Sequence, residues 1–281
     1  MIQQKLTHII KIMAKTYSLS HLTLLDCSIA ELAFIAARSG YNAISPRLHN
    51  MGVDGECLFP PLDKSMLAAA RNAIAVTGMQ VHDIELARIT DDTPISAYEP
   101  AMEIGAELGA RKMIASIWTS HTSSNRQVEL FIELCQLAKQ YNIDMALEYP
   151  TISSVSSLAQ AREIVDQAQQ DNAEILIDTM YIKLSHTRLD ELEAIPHEQI
   201  SFIQIADVQP SIPDTREGII QLVRNGRLYP GEGSVDFTNI MSRLPPVDIA
   251  IELPNRARIR ELGLEGHARK ALQCTKQILT A

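Results

Sequence analysis

The chain of 281 residues has one tryptophan, five phenylalanines and four cysteines, and no two of the cysteines form a CxxC pair. Cys27, Cys57, Cys135 and Cys274 are too dispersed for a thiolate zinc site. Reduced thiols in a cytoplasmic protein are the expectation. No apolar run is long enough to span a bilayer, and the opening MIQQKLTHIIKIMAK has neither a continuous apolar stretch nor a small-residue cleavage site. Positive charge is also scarce: 25 Lys and Arg stand against 34 Asp and Glu, and they form no basic stripe. That balance argues against nucleic-acid and membrane partners and suits a small-molecule substrate. The phosphate-binding signature GxGxxG is missing after the first apolar run, which disfavours an open dinucleotide-binding sheet.

What is present is a regular alternation. Short apolar runs predict strands at 21–26, 42–48, 79–86, 112–118, 143–149, 174–178, 201–207 and 247–253. Helical patterns fall between them, at 28–40, 63–78, 100–109, 124–142, 157–170, 188–195 and 215–226, with a last helix at about 262–279. Ser28 and Glu31 have capping-box spacing, and Gly40 and Gly78 stand where helices end. Eight such units in one chain predict a single (β/α)8 barrel over residues 19–281, preceded by a helical extension at 1–18. Whether the chain works as a monomer or a homo-oligomer stays open.

Working residues of such a barrel project from the C-terminal ends of its strands. There the sequence places Glu148, Asp178, Gln204, Asp207 and Glu252. Three carboxylates brought together need a cation, and oxygen donors suit Mg²⁺, Mn²⁺ or a similar divalent ion. Around them, Arg47 is a candidate for an anionic substrate group, and Trp118 for a sugar face. Arg227 stands at the entrance of the tight turn PGEG (230–233) and Glu232 lies within it, where each could contact substrate. His82 reads as an interior histidine and His267 as a surface one.

These residues resemble the xylose-isomerase-like barrels, a family that includes sugar-phosphate isomerases and epimerases, inosose dehydratases and hydroxypyruvate isomerases. The resemblance rests on ALEYP (146–150), LIDTMY (176–181), FIQIAD (202–207), RLYPGEGSVDF (227–237) and IELP (251–254). It implies one divalent metal (Mn²⁺, Mg²⁺, Co²⁺ or Zn²⁺) on Glu148, Asp178, Gln204 and Glu252, with Gln204 where relatives usually have histidine. Tyr181 likewise takes the place of a frequent substrate-touching histidine.

The expected activity is isomerisation or epimerisation of a small polyhydroxy carbonyl compound through an enediolate, with Glu148 and Glu252 moving the proton. The same site could instead expel a hydroxyl, as a dehydratase of the inosose or dehydroshikimate kind. The substitutions at Gln204 and Tyr181 also admit a barrel that has lost its metal and only binds.

Overall fold

A computed structural model describes residues 16–50 and 63–280. Its parallel sheet runs through β1 (Tyr17–Ser20), β2 (Ala43–Ser45), β3 (Gln80–Val81), β4 (Asp83–Ile89), β5 (Lys112–Ile117), β6 (Asp144–Leu147), β7 (Ala173–Asp178), β8 (Ile200–Ile205) and β9 (Ile249–Ile251). The order β3-β2-β1-β9-β8-β7-β6-β5-β4 has consecutive strands at its two ends. Amides of His82 and Glu85 donate to Ile44 and Pro46 across that seam, so the sheet closes into a barrel. The sequence's third strand is thus split at His82, and eight predicted strands appear as nine segments. The buried faces of these strands agree with a sheet covered by helices.

Helices α1 (Ile29–Ser39), α2 (Lys64–Thr77), α3 (Glu99–Glu107), α4 (Ser124–Lys139) and α5 (Leu158–Ala168) lie in the first two thirds of the chain. Then come α6 (Thr179–Leu184), α7 (Leu189–Glu193), α8 (Arg216–Asn225), α9 (Phe237–Met241) and α10 (Arg256–Thr280). The Ser28–Glu31 capping box forms on α1, and Gly40, at φ 91°, ends it in the left-handed conformation that glycine adopts without strain. Two expectations shift. The first strand lies four residues earlier than HLTLLD, because 21–24 winds into a 3-10 turn held to Ile251 and Leu253 through the Thr23 hydroxyl. Strand β1 is half polar, its Ser18 bonded to Ser45, which hides it from an apolar-run reading. The barrel therefore begins at Tyr17, while residues 1–15 of the expected extension lie outside the described residues. The last helix starts at Arg256 rather than 262, with a break at Gly263.

The barrel interior is layered. Leu86, Ile114, Ala146, Leu176, Phe202 and Ala250 make one apolar ring inside the barrel. Strand side chains repeat on the same face every second residue. The next layer toward the C-terminal mouth is therefore Arg88, Ser116, Glu148, Asp178, Gln204 and Glu252: an apolar floor under a polar ring. Among the described residues no helix is long and apolar enough to cross a membrane.

Candidate metal centre at the barrel mouth

Three carboxylates of this polar ring converge. Glu148, Asp178 and Glu252 are all buried, and each offers an oxygen within 4.8 Å of the others. Asp178 divides its two oxygens between fold and site. Its Oδ1 accepts the Met180 amide at 2.8 Å and caps α6, while Oδ2 accepts from Arg227 Nη1 at 2.7 Å. Arg227 Nη2 lies 2.6 Å from Glu252 Oε2, so one guanidinium joins two of the three acids. That arginine is held on every nitrogen: its Nε donates to the Val223 carbonyl and its Nη1 also to the Glu252 carbonyl. Burial opposes its charge, but the surrounding acids hold it firmly protonated.

Gln204 Nε2 donates to Glu252 Oε1 at 3.2 Å, and its own Oε1 is buried without a partner. The Glu148 carboxyl makes no hydrogen bond or ion pair with the described residues. Burial, then the charges of Glu252 and Asp178, push its carboxyl well above the usual range. Burial raises Glu252 too, but Arg227 pulls it back. The two glutamates therefore sit in different environments, one engaged by a cation and one not.

The donor set can hold a divalent ion. One guanidinium against three carboxylates leaves two negative charges over, and the orphaned Gln204 oxygen supplies a fourth hard donor. Arg227 shares the site with such an ion as a competitor for the same oxygens.

The other candidates fall around this centre in unequal ways. Arg47 is 6% exposed and pairs with Glu85 at 3.0 Å, whose carboxyl is raised by burial to about 8 despite that partner. Tyr181 lies buried in α6 with its ring centroid 5.7 Å from the Arg227 guanidinium carbon. Trp118 donates from Nε1 to Ser116 Oγ at 2.8 Å and carries Arg88 over its ring face at 4.3 Å.

Asp207 is turned to the backbone: Oδ1 accepts the amides of Val208 and Val235, and Oδ2 those of Gly231 and Gly233. It clamps the PGEG turn, and Gly233 packs so tightly on Asp207 and the Val208 carbonyl that a Cβ would collide with both. Glu232 lies apart from the acid cluster, 3.1 Å from Arg258. His267, expected at the surface, is fully buried, because Tyr229 and the Leu253 carbonyl bond its two ring nitrogens. His82 sits below the apolar floor, 2.6 Å from Asp83 and edge-on to Phe202.

Arg88 is the residue that sequence reasoning missed. The predicted third strand ends at 86, and a register shift between Ile84 and Ala87 obscures which face the later residues of β4 occupy. The usable signal was a cation two residues beyond a leucine of the apolar ring.

Comparison with known proteins agrees with the fold. The model of the xylose isomerase-like TIM barrel family matches residues 34–278. An inosose isomerase of Bacillus subtilis (strain 168) is 23% identical over 161 residues, covering 54% of this chain and 56% of that protein. An inosose isomerase of Bacillus velezensis is 23% identical over 198 residues, covering 66% and 68%. The match thus spans little more than half the length of the first of these relatives. Among solved structures, the IolI protein with a bound zinc atom superposes with a TM-score of 0.77 at 20% identity, covering 94% of this chain and 98% of that one. A D-allulose 3-epimerase from Methylomonas sp. in complex with D-allulose gives 0.66 at 16% identity, covering 93% and 96%. At such identities the structural likeness speaks for the fold, and the family match covers most of the chain: this protein belongs to the xylose isomerase-like TIM barrel family.

Proposed function

We propose that this chain is an isomerase or epimerase of a small polyhydroxy carbonyl compound, working through an enediolate with the help of one divalent ion. The observation that carries the reading is the buried triad Glu148, Asp178 and Glu252 beside the unpartnered Gln204 oxygen. The inosose isomerases and the D-allulose epimerase among the similar proteins support it.

Glu148, Asp178, Glu252 and Gln204 would hold the ion, which when bound supplies a Lewis acid for the carbonyl and hydroxyl oxygens of the substrate. The chain's own residues move the proton. Two glutamates with separated proton affinities form an acid and a base. Glu252, held by Arg227, begins as the carboxylate that takes the proton from the carbon beside the carbonyl. Glu148, ionised while it helps hold the ion and engaged by no cation of the chain, takes up the proton of a substrate hydroxyl and returns it to the carbon of the intermediate. Asp178, fixed by the α6 cap, positions and does not shuttle. The apolar ring beneath closes the site to water from below.

A metal-free barrel has one observation in its favour, the Arg227 bridge between Asp178 and Glu252. Metal analysis of the purified protein separates the two readings. The test of activity is proton NMR in heavy water with Mn²⁺ and a panel of keto-polyols. Exchange of the proton next to the carbonyl is expected in the wild type and is expected to fall roughly 100-fold or more in E148Q and E252Q. Loss of water in place of exchange would move the chain to the dehydratases, and neither outcome with any substrate would end the enzyme reading.

A further inference from the structure

The polar ring holds a cation, Arg88, that no acid among the described residues balances. Arg47 is engaged by Glu85, and Arg227 by Asp178 and Glu252. Arg88 has no carboxylate partner among the described residues. It stands on β4 in register with Ser116, one layer above the apolar floor and level with the candidate metal ligands. Its guanidinium carbon lies over Trp118, 4.3 Å from the ring centroid, and the indole N–H is itself tied down to Ser116. Stacking of this kind fixes the plane of the guanidinium and leaves its edge free to donate. The Arg88 Nε is buried and donates to nothing.

The largest charge effect on Arg88 adds to the imbalance. Arg224, exposed in the last turn of α8, also lacks an acidic partner among the described residues, and after burial it is the main influence lowering the Arg88 proton affinity. Like charges that act on one another, with no carboxylate paired to either among the described residues, repel. An oxyanion relieves that repulsion and satisfies the orphaned Nε together.

We propose that Arg88, stacked on Trp118 at the barrel mouth and assisted by Arg224, binds a terminal anionic group of the substrate, a carboxylate or a phosphate ester. This rests on the isomerase reading and narrows it: the substrate is a hydroxy-keto acid or a ketose phosphate rather than a neutral polyol. A planar, stacked guanidinium presents parallel N–H groups that match either oxyanion.

Trp118 is the only tryptophan, so its fluorescence reports directly on the face that Arg88 covers. The experiment titrates the Mn²⁺-loaded protein with inorganic phosphate and, separately, with glycolate, following Trp118 emission. A saturable change is expected in the wild type, weakened roughly 10- to 100-fold in R88M and less strongly in R224M. R224M alters an exposed side chain, so it reads the same site without risk to the fold. Saturation with phosphate alone assigns the phosphate ester, and with glycolate alone the carboxylate.

Turnover is measured beside it, as the ratio of kcat/KM for an anionic ketose to that for its neutral counterpart, and R88M is expected to collapse this ratio. A titration that never saturates, or one that R88M and R224M leave untouched, overturns the proposal. So does a wild type that prefers the neutral ketose, although the isomerase reading then stands. Anion binding that depends on Arg88 in a protein that turns over no ketose would leave the site in place and end the isomerase reading.

Discussion

The guanidinium of Arg227 lies 2.7 Å from the carboxylate of Asp178, with neither side chain more than 1% exposed. Ion pairs this deep stabilise chiefly by preventing an uncompensated charge. R227Q removes the cation and leaves the acids, so the metal-free variant is expected to lose roughly 3–5 kcal/mol. Mn²⁺ should restore more of its melting temperature than it adds to the wild type, because the oxygens of Asp178 and Glu252 are then released to the ion. Calorimetry with and without Mn²⁺ checks both halves, and an R227Q that melts like the wild type would contradict the role given to Arg227.

Glu148 sets a pH dependence with a definite sign. Its folded proton affinity is well above the ordinary value of 4.5, owing to burial and then to Glu252 and Asp178. A group raised in this way contributes fully below its unfolded value, and the contribution is lost as pH rises through the folded one. The metal-free protein should therefore weaken from about pH 5 upward, with E148Q flattening the slope. Divalent-ion affinity should rise over the same interval, since a ligand carboxyl must ionise to bind. Urea unfolding in chelator and calorimetric metal titrations at several pH values measure the two trends.

Asp207 is expected to behave as a loop clamp. Four backbone amides converge on its two oxygens, so D207N turns an amide nitrogen toward N–H groups that need an acceptor. The loss should be about 2–4 kcal/mol. Hydrogen exchange at Gly231 and Gly233 should quicken more than exchange in the barrel strands.

His82 supplies a second pH effect, at the opposite end of the barrel. Burial lowers its affinity for a proton, but its ion pairs with Asp248 and Asp83 outweigh that and raise it to about 9. Its stabilisation is complete below its ordinary value of 6.5 and disappears as pH rises through about 9. The full effect is of the order of 3 kcal/mol. H82N in the Mn²⁺-loaded protein, where Glu148 is already ionised, should remove this decline; an unchanged slope would locate its cause elsewhere.

What could be read from the sequence was local or periodic. Helix ends were legible because Ser28, Glu31, Gly40 and Gly78 act on backbone groups a few residues away. Glu148, Asp178, Gln204 and Glu252 were legible as a group because strand ends share one rim in a barrel. The pairing of Arg227 with Asp178 spans 49 positions, and nothing in either neighbourhood announces it. Arg47 and Arg227 looked equally available for an anion, since sequence shows charges and hides the partners that neutralise them. Ser18 of β1 escaped notice for a related reason: it bonds Ser45 inside the barrel, where an apolar-run reading expects no polar side chain.

The cap at Asp178 has a further consequence for how the centre can vary. Because Oδ1 is tied to the start of α6, the carboxyl is denied rotation about its own axis, and Oδ2 is aimed by the backbone rather than by packing. A longer acid at this position would keep the charge but could not both close the helix and reach the same point. Conserving charge here is therefore insufficient; the length of the side chain is what joins the fold to the chemistry.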